Sequence, residues 1–180
     1  WRLHTCLRCA WSSEVFSSGL QFLNLSSFAE YLLVHEHPVA KVREDMPLDR
    51  AALIGCGVTA GVGAVIHTAA VVPGSTVAVI GCGGVGLSCI NGAEIAGASR
   101  IIAVDTLASK LELARKFGAT EVVNATDNDP VEAVRELTGG GVHYAFEAIG
   151  LKVTTEQAFK MIRAGGCATV IGMIPVGTMV

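Results

Sequence analysis

The feature that most constrains this chain is a run of six residues, Gly81-Cys82-Gly83-Gly84-Val85-Gly86. It lies between two runs of different character. Thr76-Val77-Ala78-Val79-Ile80 is β-branched and apolar and reads as a buried strand, while Leu87 to Ala96 reads as a helix with small residues on one side. The order is strand, G-x-G-x-x-G, helix. Each glycine has a physical task in that order: Gly81 allows the tight turn off the strand, Gly83 leaves the backbone open to a pyrophosphate, and Gly86 lets the helix pack close against the strand. The first turn of the helix then offers free N–H groups and a partial positive charge to phosphate.

In a chain with 21 glycines the motif alone is weak, and its context decides. A second apolar run, Ile101-Ile102-Ala103-Val104, ends in Asp105, nineteen residues past Gly86. That is the spacing of the dinucleotide fingerprint. A carboxylate there can accept two hydrogen bonds from the adenosine ribose of NAD and repels the extra phosphate of NADP. The plainer alternative is a turn aspartate that caps the next helix.

Composition bounds the remaining classes. At 180 residues the chain has length for one core and part of a second domain. Half of it is apolar and its net charge is −3, which excludes disorder and offers no basic patch for nucleic acid. Six cysteines at irregular spacing read as free thiols in a reducing cytoplasm. Ala51 to Ala93 contains no Asp, Glu, Lys or Arg, which raises a membrane span. Pro73-Gly74-Ser75, the many glycines and the scarcity of leucine favour a buried helix followed by the central strand. Gly57-x-x-x-Gly61 then marks close backbone packing. No signal peptide is visible, and a chain that opens on Trp1 reads as a piece of a longer parent.

Residues 1–24 stay unassigned; Cys6-x-x-Cys9 is half of a zinc pattern without its second half. Phe28 to Val34 and Pro38 to Val42 read as strands, with His35 and His37 in the turn between them. Helices are expected from Pro47 to Gly55 and from Val58 to Ala70, the latter carrying His67. Beyond Asp105, Leu107, Leu111 and Ala114 mark a helix ended by Gly118, and Glu121 to Asn124 a third strand. Asp129-Pro130 opens a helix with Val131, Val134 and Leu137 on its buried face, stopped by Gly139-Gly140-Gly141. Val142 to Phe146 is a fourth strand running into Glu147-Ala148-Ile149-Gly150. Ala158, Met161 and Ile162 mark a helix ended by Gly165-Gly166, and Cys167 to Ile171 a fifth strand. This alternation is that of an α/β, doubly wound parallel sheet with usual order 3-2-1-4-5-6, here lacking its last strand.

Several segments together resemble the zinc-dependent medium-chain alcohol dehydrogenases, including the glutathione-dependent formaldehyde dehydrogenase (class III) branch. They are Phe28-Ala29-Glu30-Tyr31, the block Ala51 to Gly61 with Gly55-Cys56-Gly57 at its centre, the glycine loop, Ile101 to Asp105, and Phe146-Glu147-Ala148-Ile149-Gly150. The resemblance implies a remnant of a β-rich GroES-like catalytic domain over residues 25–50 and a truncated NAD-binding Rossmann domain over 51–180. It implies oxidation of an alcohol to an aldehyde, with NAD and a catalytic Zn2+ as cofactors and a homodimeric or homotetrameric parent. S-(hydroxymethyl)glutathione and simple alcohols both remain open as substrates.

The same resemblance assigns residues. Cys56 becomes the catalytic residue, one of three protein ligands to a zinc that acts on the alcohol oxygen as a Lewis acid. Gly81, Cys82, Gly83, Gly84, Val85 and Gly86 hold the pyrophosphate, and Asp105 and Lys110 the ribose. Ile149 touches the cofactor's apolar flank, and Ile171, Gly172 and Met173 border the nicotinamide. For each the plain alternative is packing or a solvated charge. The other zinc ligands of the family and its four-cysteine structural zinc loop have no counterpart here.

Other readings are a zinc-free quinone-reductase-like enzyme and a non-catalytic NAD-binding module. A short-chain dehydrogenase is disfavoured because neither Tyr31 nor Tyr144 has a lysine four residues on, and a methyltransferase leaves the Gly-Cys-Gly block unexplained. One recognised ligand of three predicts that the isolated chain binds zinc below stoichiometry and turns over no alcohol. Zinc analysis with an alcohol oxidation assay checks this; tight stoichiometric zinc with turnover would mean that His35, His37 or the Cys6/Cys9 pair replaces the missing ligands.

Overall fold

The computed structural model describes residues 40–175, 177 and 178. The chain divides into two units, residues 1–46 and 47–180, and the elements below belong to the second. They are α1 (Leu48–Thr68), β1 (Thr76–Ile80), α2 (Gly84–Ile95), β2 (Arg100–Asp105), α3 (Ala108–Lys116), β3 (Glu121–Asn124), α4 (Pro130–Thr138), β4 (Val142–Glu147), α5 (Lys152–Met161) and β5 (Ile162–Val170). The strands form one five-stranded sheet in the order β3-β2-β1-β4-β5, and every pairing is parallel. This is the doubly wound order that the alternation of strands and helices predicts.

β1 lies at the centre because its side chains are apolar on both faces. Val77 and Val79 enter one core layer with Ile90, Ala93 and Phe146, while Ala78 and Ile80 enter the other with Val134, Ala158 and Met161. A strand covered on both faces needs a continuous apolar run rather than an alternating one. Each fully buried Val, Ile or Phe contributes about 1.5–3 kcal/mol relative to exposure.

α2 begins inside the glycine loop, at Gly84, three residues before the expected start. A Cβ at Gly86 would overlap the Gly81 carbonyl oxygen, so the helix can leave the strand this abruptly only with a hydrogen there. α4 starts as predicted: Oδ1 of Asp129 accepts from the Val131 N–H at 2.7 Å, and Pro130 fills the first helical position. Of its expected apolar face only Val134 is fully covered, and Leu137 is exposed. Leu107 precedes the first turn of α3 without a side-chain cap and is also exposed, while Leu111 and Ala114 are buried.

Three expectations are corrected. The two helical stretches before the central strand are one helix, α1, whose turns widen at Ile54–Val58 and Ala64–Thr68. The widening shows in the Ala69 N–H, which donates to the Ala64 carbonyl five residues back at 2.8 Å. Nor is α1 buried: 17% of its apolar window is covered among the described residues, chiefly Gly61, Ala64 and Val65 against α2, although it is 21 residues long with mean hydropathy 1.6. The apolar run is longer than its contact with α2. Finally, α5 ends at Met161 and β5 begins at once. Val142 pairs with Ile162 but Tyr144 with Cys167, so the residues around Gly165 and Gly166 bulge out of the ladder rather than end a helix.

Ala40 to Val42 are in neither strand nor helix. The remaining expectations upstream (the unassigned 1–24, Cys6 and Cys9, the strand at 28–34, His35 and His37) lie outside the described residues.

The two glycines of the 57/61 pair differ. A Cβ at Gly61 would sit 2.5 Å from Ser88 Cβ and from the Val85 carbonyl oxygen, whereas one at Gly57 meets nothing within 4 Å among the described residues. Gly61→Ala should therefore destabilise the chain by about 1–3 kcal/mol through overpacking. Gly57→Ala should stabilise it by up to about 1 kcal/mol through helix propensity. Denaturant melts of the two variants check the contrast.

Candidate functional site: the rim of the central strands

The C-terminal ends of β1, β2, β4 and β5 bring most of the predicted residues to one rim. In an open α/β sheet the crevice beyond the strand ends, where the strand order reverses, is the general ligand position. Here the reversal falls between β1 and β4.

The turn from β1 has Gly81 at φ +94, the left-handed region that only glycine enters freely. Its N–H donates to the Val104 carbonyl at 2.8 Å, which ties the turn to β2. Beyond it, a Cβ at Gly83 or Gly84 would meet nothing within 4 Å among the described residues. Among those residues the space in front of them is open, at the start of a helix whose N-terminus has no side-chain cap. The N–H groups of its first turn have no partner within the helix. The loop therefore presents bare backbone donors toward an open volume, which fits a pyrophosphate.

Asp105 is 7% exposed, and its carboxylate is heavily used. Oδ2 accepts from the Cys82 N–H at 2.8 Å, while Oδ1 accepts from Thr106 N–H at 2.8 Å and Leu107 N–H at 3.1 Å. Three of its roughly four acceptor positions are taken. The fourth lies on Oδ2, which the Lys110 ammonium faces at 3.9 Å. Of the two roles expected for Asp105 the turn aspartate is seen, through Oδ1 at the start of α3, and Oδ2 additionally holds the glycine loop.

On the other side of β1, Ile149 follows β4 and its side chain leans onto the turn; its Cγ1 lies 2.5 Å from where a Cβ on Gly81 would be. Ile171, Gly172 and Met173 follow β5, with Met173 92% exposed. Gly172 is in backbone contact with Gly150, so β4 and β5 end at one crossing. Cys56 is elsewhere, exposed within the first widened turn of α1.

Sequence reasoning did not single out Glu147. It is 0% exposed, at the last position of β4. Its Oε1 accepts from Ile149 N–H at 2.9 Å, Gly150 N–H at 2.8 Å and Thr154 O–H at 2.7 Å, while Oε2 has no partner among the described residues. The available signal was positional, since Glu147 ends an apolar strand as Asp105 does.

A family profile described as zinc-binding dehydrogenase matches residues 84–180. The chain belongs to the zinc-binding dehydrogenase family. It is 46% identical over 153 residues to alcohol dehydrogenase-like 5 of Arabidopsis thaliana, covering 83% of this chain and 39% of that relative. It is 43% identical over 159 residues to alcohol dehydrogenase class-3 of Pisum sativum, covering 87% and 42%. Among solved structures it is similar to benzyl alcohol dehydrogenase from Acinetobacter calcoaceticus, at TM-score 0.75 and 41% identity over 78% of this chain and 39% of that one. It is also similar to a zinc-binding dehydrogenase from Sinorhizobium meliloti bound to NADP, at TM-score 0.66 and 34% identity over 69% and 37%. The chain spans about two-fifths of the length of the curated relatives it matches.

Membership of a zinc-binding dehydrogenase family does not make the described residues a zinc site. A catalytic zinc takes three protein ligands and keeps a fourth position open. Among the described residues no group of three His, Cys, Asp or Glu side chains that could hold a metal gathers around Cys56 or elsewhere.

Cys82 and Cys89 are buried, whereas Cys56 and Cys167 are exposed. Burial, with a smaller contribution from Asp105, raises the Cys82 thiol to about 12, and burial raises Cys89 to about 12. Both start from 9.0, so between those values the folded chain holds protons that the unfolded chain has lost, and stability should fall as pH rises through that window. Native alkylation followed by mass spectrometry should modify Cys56 and Cys167 and spare Cys82 and Cys89. Melts from pH 8 upward should show an alkaline loss that Cys89→Ala reduces.

Proposed function

We propose that this chain forms the cofactor-holding part of an NAD-linked alcohol dehydrogenase that oxidises a small-molecule alcohol to an aldehyde. The observation that carries the reading is the glycine loop: bare backbone donors at Gly83 and Gly84 face space that is open among the described residues, and Asp105 holds the loop through the Cys82 N–H. When bound, the nicotinamide supplies a hydride acceptor for the alcohol carbon, and the hydroxyl proton leaves to solvent. The first turn of α2 binds the pyrophosphate by backbone N–H groups and the helix dipole. Asp105 and Lys110 share the adenosine ribose through the one carboxylate position that the backbone leaves free. Ile149 covers the apolar flank, and the backbone of Ile171, Gly172 and Met173 borders the nicotinamide.

The likeness to class-3 alcohol dehydrogenase of Pisum sativum supports S-(hydroxymethyl)glutathione as one candidate substrate beside simple alcohols. Zinc dependence rests on the family, with Cys56 as the one thiol this chain would bring to it. Free thiols at all four described cysteines support a cytoplasmic setting. A dimeric or tetrameric assembly belongs to the same reading.

Cofactor choice tests it. The Sinorhizobium meliloti zinc-binding dehydrogenase is bound to NADP, so likeness to this family does not by itself select the nucleotide. The buried Asp105 carboxylate should set this chain toward NAD(H), because a 2′-phosphate would meet its negative charge. Titration with NADH and NADPH should show NADH bound at least about tenfold more tightly, a difference of about 1.4 kcal/mol. Asp105→Ser should shrink that ratio. Equal affinities, or a preference for NADPH, would overturn the assignment.

A further inference from the structure

We propose that Glu147 is a positioning residue for the nicotinamide half of the cofactor, acting through the backbone of Ile149, Gly150 and Gly172; the inference rests on the cofactor reading above. The placement is topological first. Ile80, the last residue of β1, is flanked by Val104 of β2 and by Glu147 of β4. The strand-end acids Asp105 and Glu147 therefore stand on opposite sides of the loop that leaves β1. Asp105 fixes the side toward β2, and Glu147 fixes the side where the sheet order reverses.

Glu147 gathers both chain segments on that side. Its side-chain Oε1 takes the Ile149 and Gly150 N–H groups, and its peptide carbonyl takes the N–H groups of Ile171 at 2.8 Å and Gly172 at 3.1 Å. Thr154 at the start of α5 donates to the same Oε1, which fixes the carboxylate from a third element. The crossing it holds is tight: a Cβ on Gly150 would lie 2.5 Å from the Met173 carbonyl oxygen, and one on Gly172 would lie 2.6 Å from Glu147 Oε2. Backbone groups at this crossing face the rim only while both segments keep their places.

The side chain is fully buried, so it acts through these neighbours and does not itself reach a ligand. Its work is that of an acceptor, and only one oxygen performs it. Oε2 is buried without a partner among the described residues. An amide in place of the carboxylate would keep the working oxygen, and an alkyl side chain would remove it.

The test compares NADH with AMP, which has the adenosine and one phosphate but no nicotinamide. Both are titrated calorimetrically into the 180-residue chain and its variants, with thermal melts alongside. Glu147→Leu should weaken NADH about tenfold and leave AMP within about twofold, the loss expected when buried donors are left unpaired. Glu147→Gln should bind both as the unaltered chain does. Thr154→Val, which removes only the hydroxyl that steadies the carboxylate, should weaken NADH about threefold with AMP unchanged, and it decides the question if Glu147→Leu does not fold. Equal losses for NADH and AMP, or no loss in either variant, would overturn the positioning role while the cofactor reading stands. An unaltered chain that binds no NADH would overturn the cofactor reading, and this inference with it.

Discussion

The site depends on one close approach, the hydrogen of Gly86 against the carbonyl of Gly81. Any side chain at position 86 would push α2 away from β1. With the helix seated, its first turn points along the rim, and the partial positive charge of its amides falls where the chain also leaves open space. The left-handed conformation at Gly81 serves the same end, because it turns the chain within one residue of the strand. Packing and anion binding here are one constraint: whatever lets the helix pack also brings its donors to the strand end.

Two buried carboxylates then brace the loop from either side, and they do so differently. Asp105 spends its acceptors on the loop itself and on the turn into α3, so it reads the β2 side of the rim. Glu147 spends one oxygen on three donors and ties β4, α5 and the exit from β5 together. A buried carboxylate is stable only when donors surround it, and at both positions those donors are chiefly backbone amides. Side-chain pairs contribute less. The Arg100–Glu121 contact at 2.7 Å joins β2 to β3 at a partly exposed place, where such pairs are worth about 0–1 kcal/mol.

Much of the fold was legible because it rests on local rules. The β-branched runs at 76–80 and 101–104 name their strands, Asp129-Pro130 names the start of α4, and Gly139 at φ +68 its end. What was not legible came from competition between local signals and packing. Gly55 and Gly57 suggested a break, yet the backbone stayed helical by widening its turns. Gly165 and Gly166 suggested a helix end, yet the ladder between β4 and β5 had already claimed Ile162. Leu137 lies on the predicted apolar face of α4 but in a place no element covers among the described residues.

By itself the sequence determined the doubly wound order, the glycine turn and the acid that closes it, because spacing within some thirty residues fixes a βαβ unit. It also carried the family, through blocks such as Gly55-Cys56-Gly57 that chemistry alone would leave as a buried thiol. Only the tertiary structure decided that Cys56 stands exposed on a helix whose apolar length exceeds its packing partner. It alone showed that Asp105 is already committed to three backbone donors, and that Glu147 gathers the ends of β4 and β5. The physical reason is distance along the chain. Asp105 and Cys82 are twenty-three residues apart, and Glu147 and Gly172 twenty-five, so these meetings depend on the sheet having formed. A pattern confined to one element can state its own conformation, but it cannot state which remote donor a buried carboxylate will find.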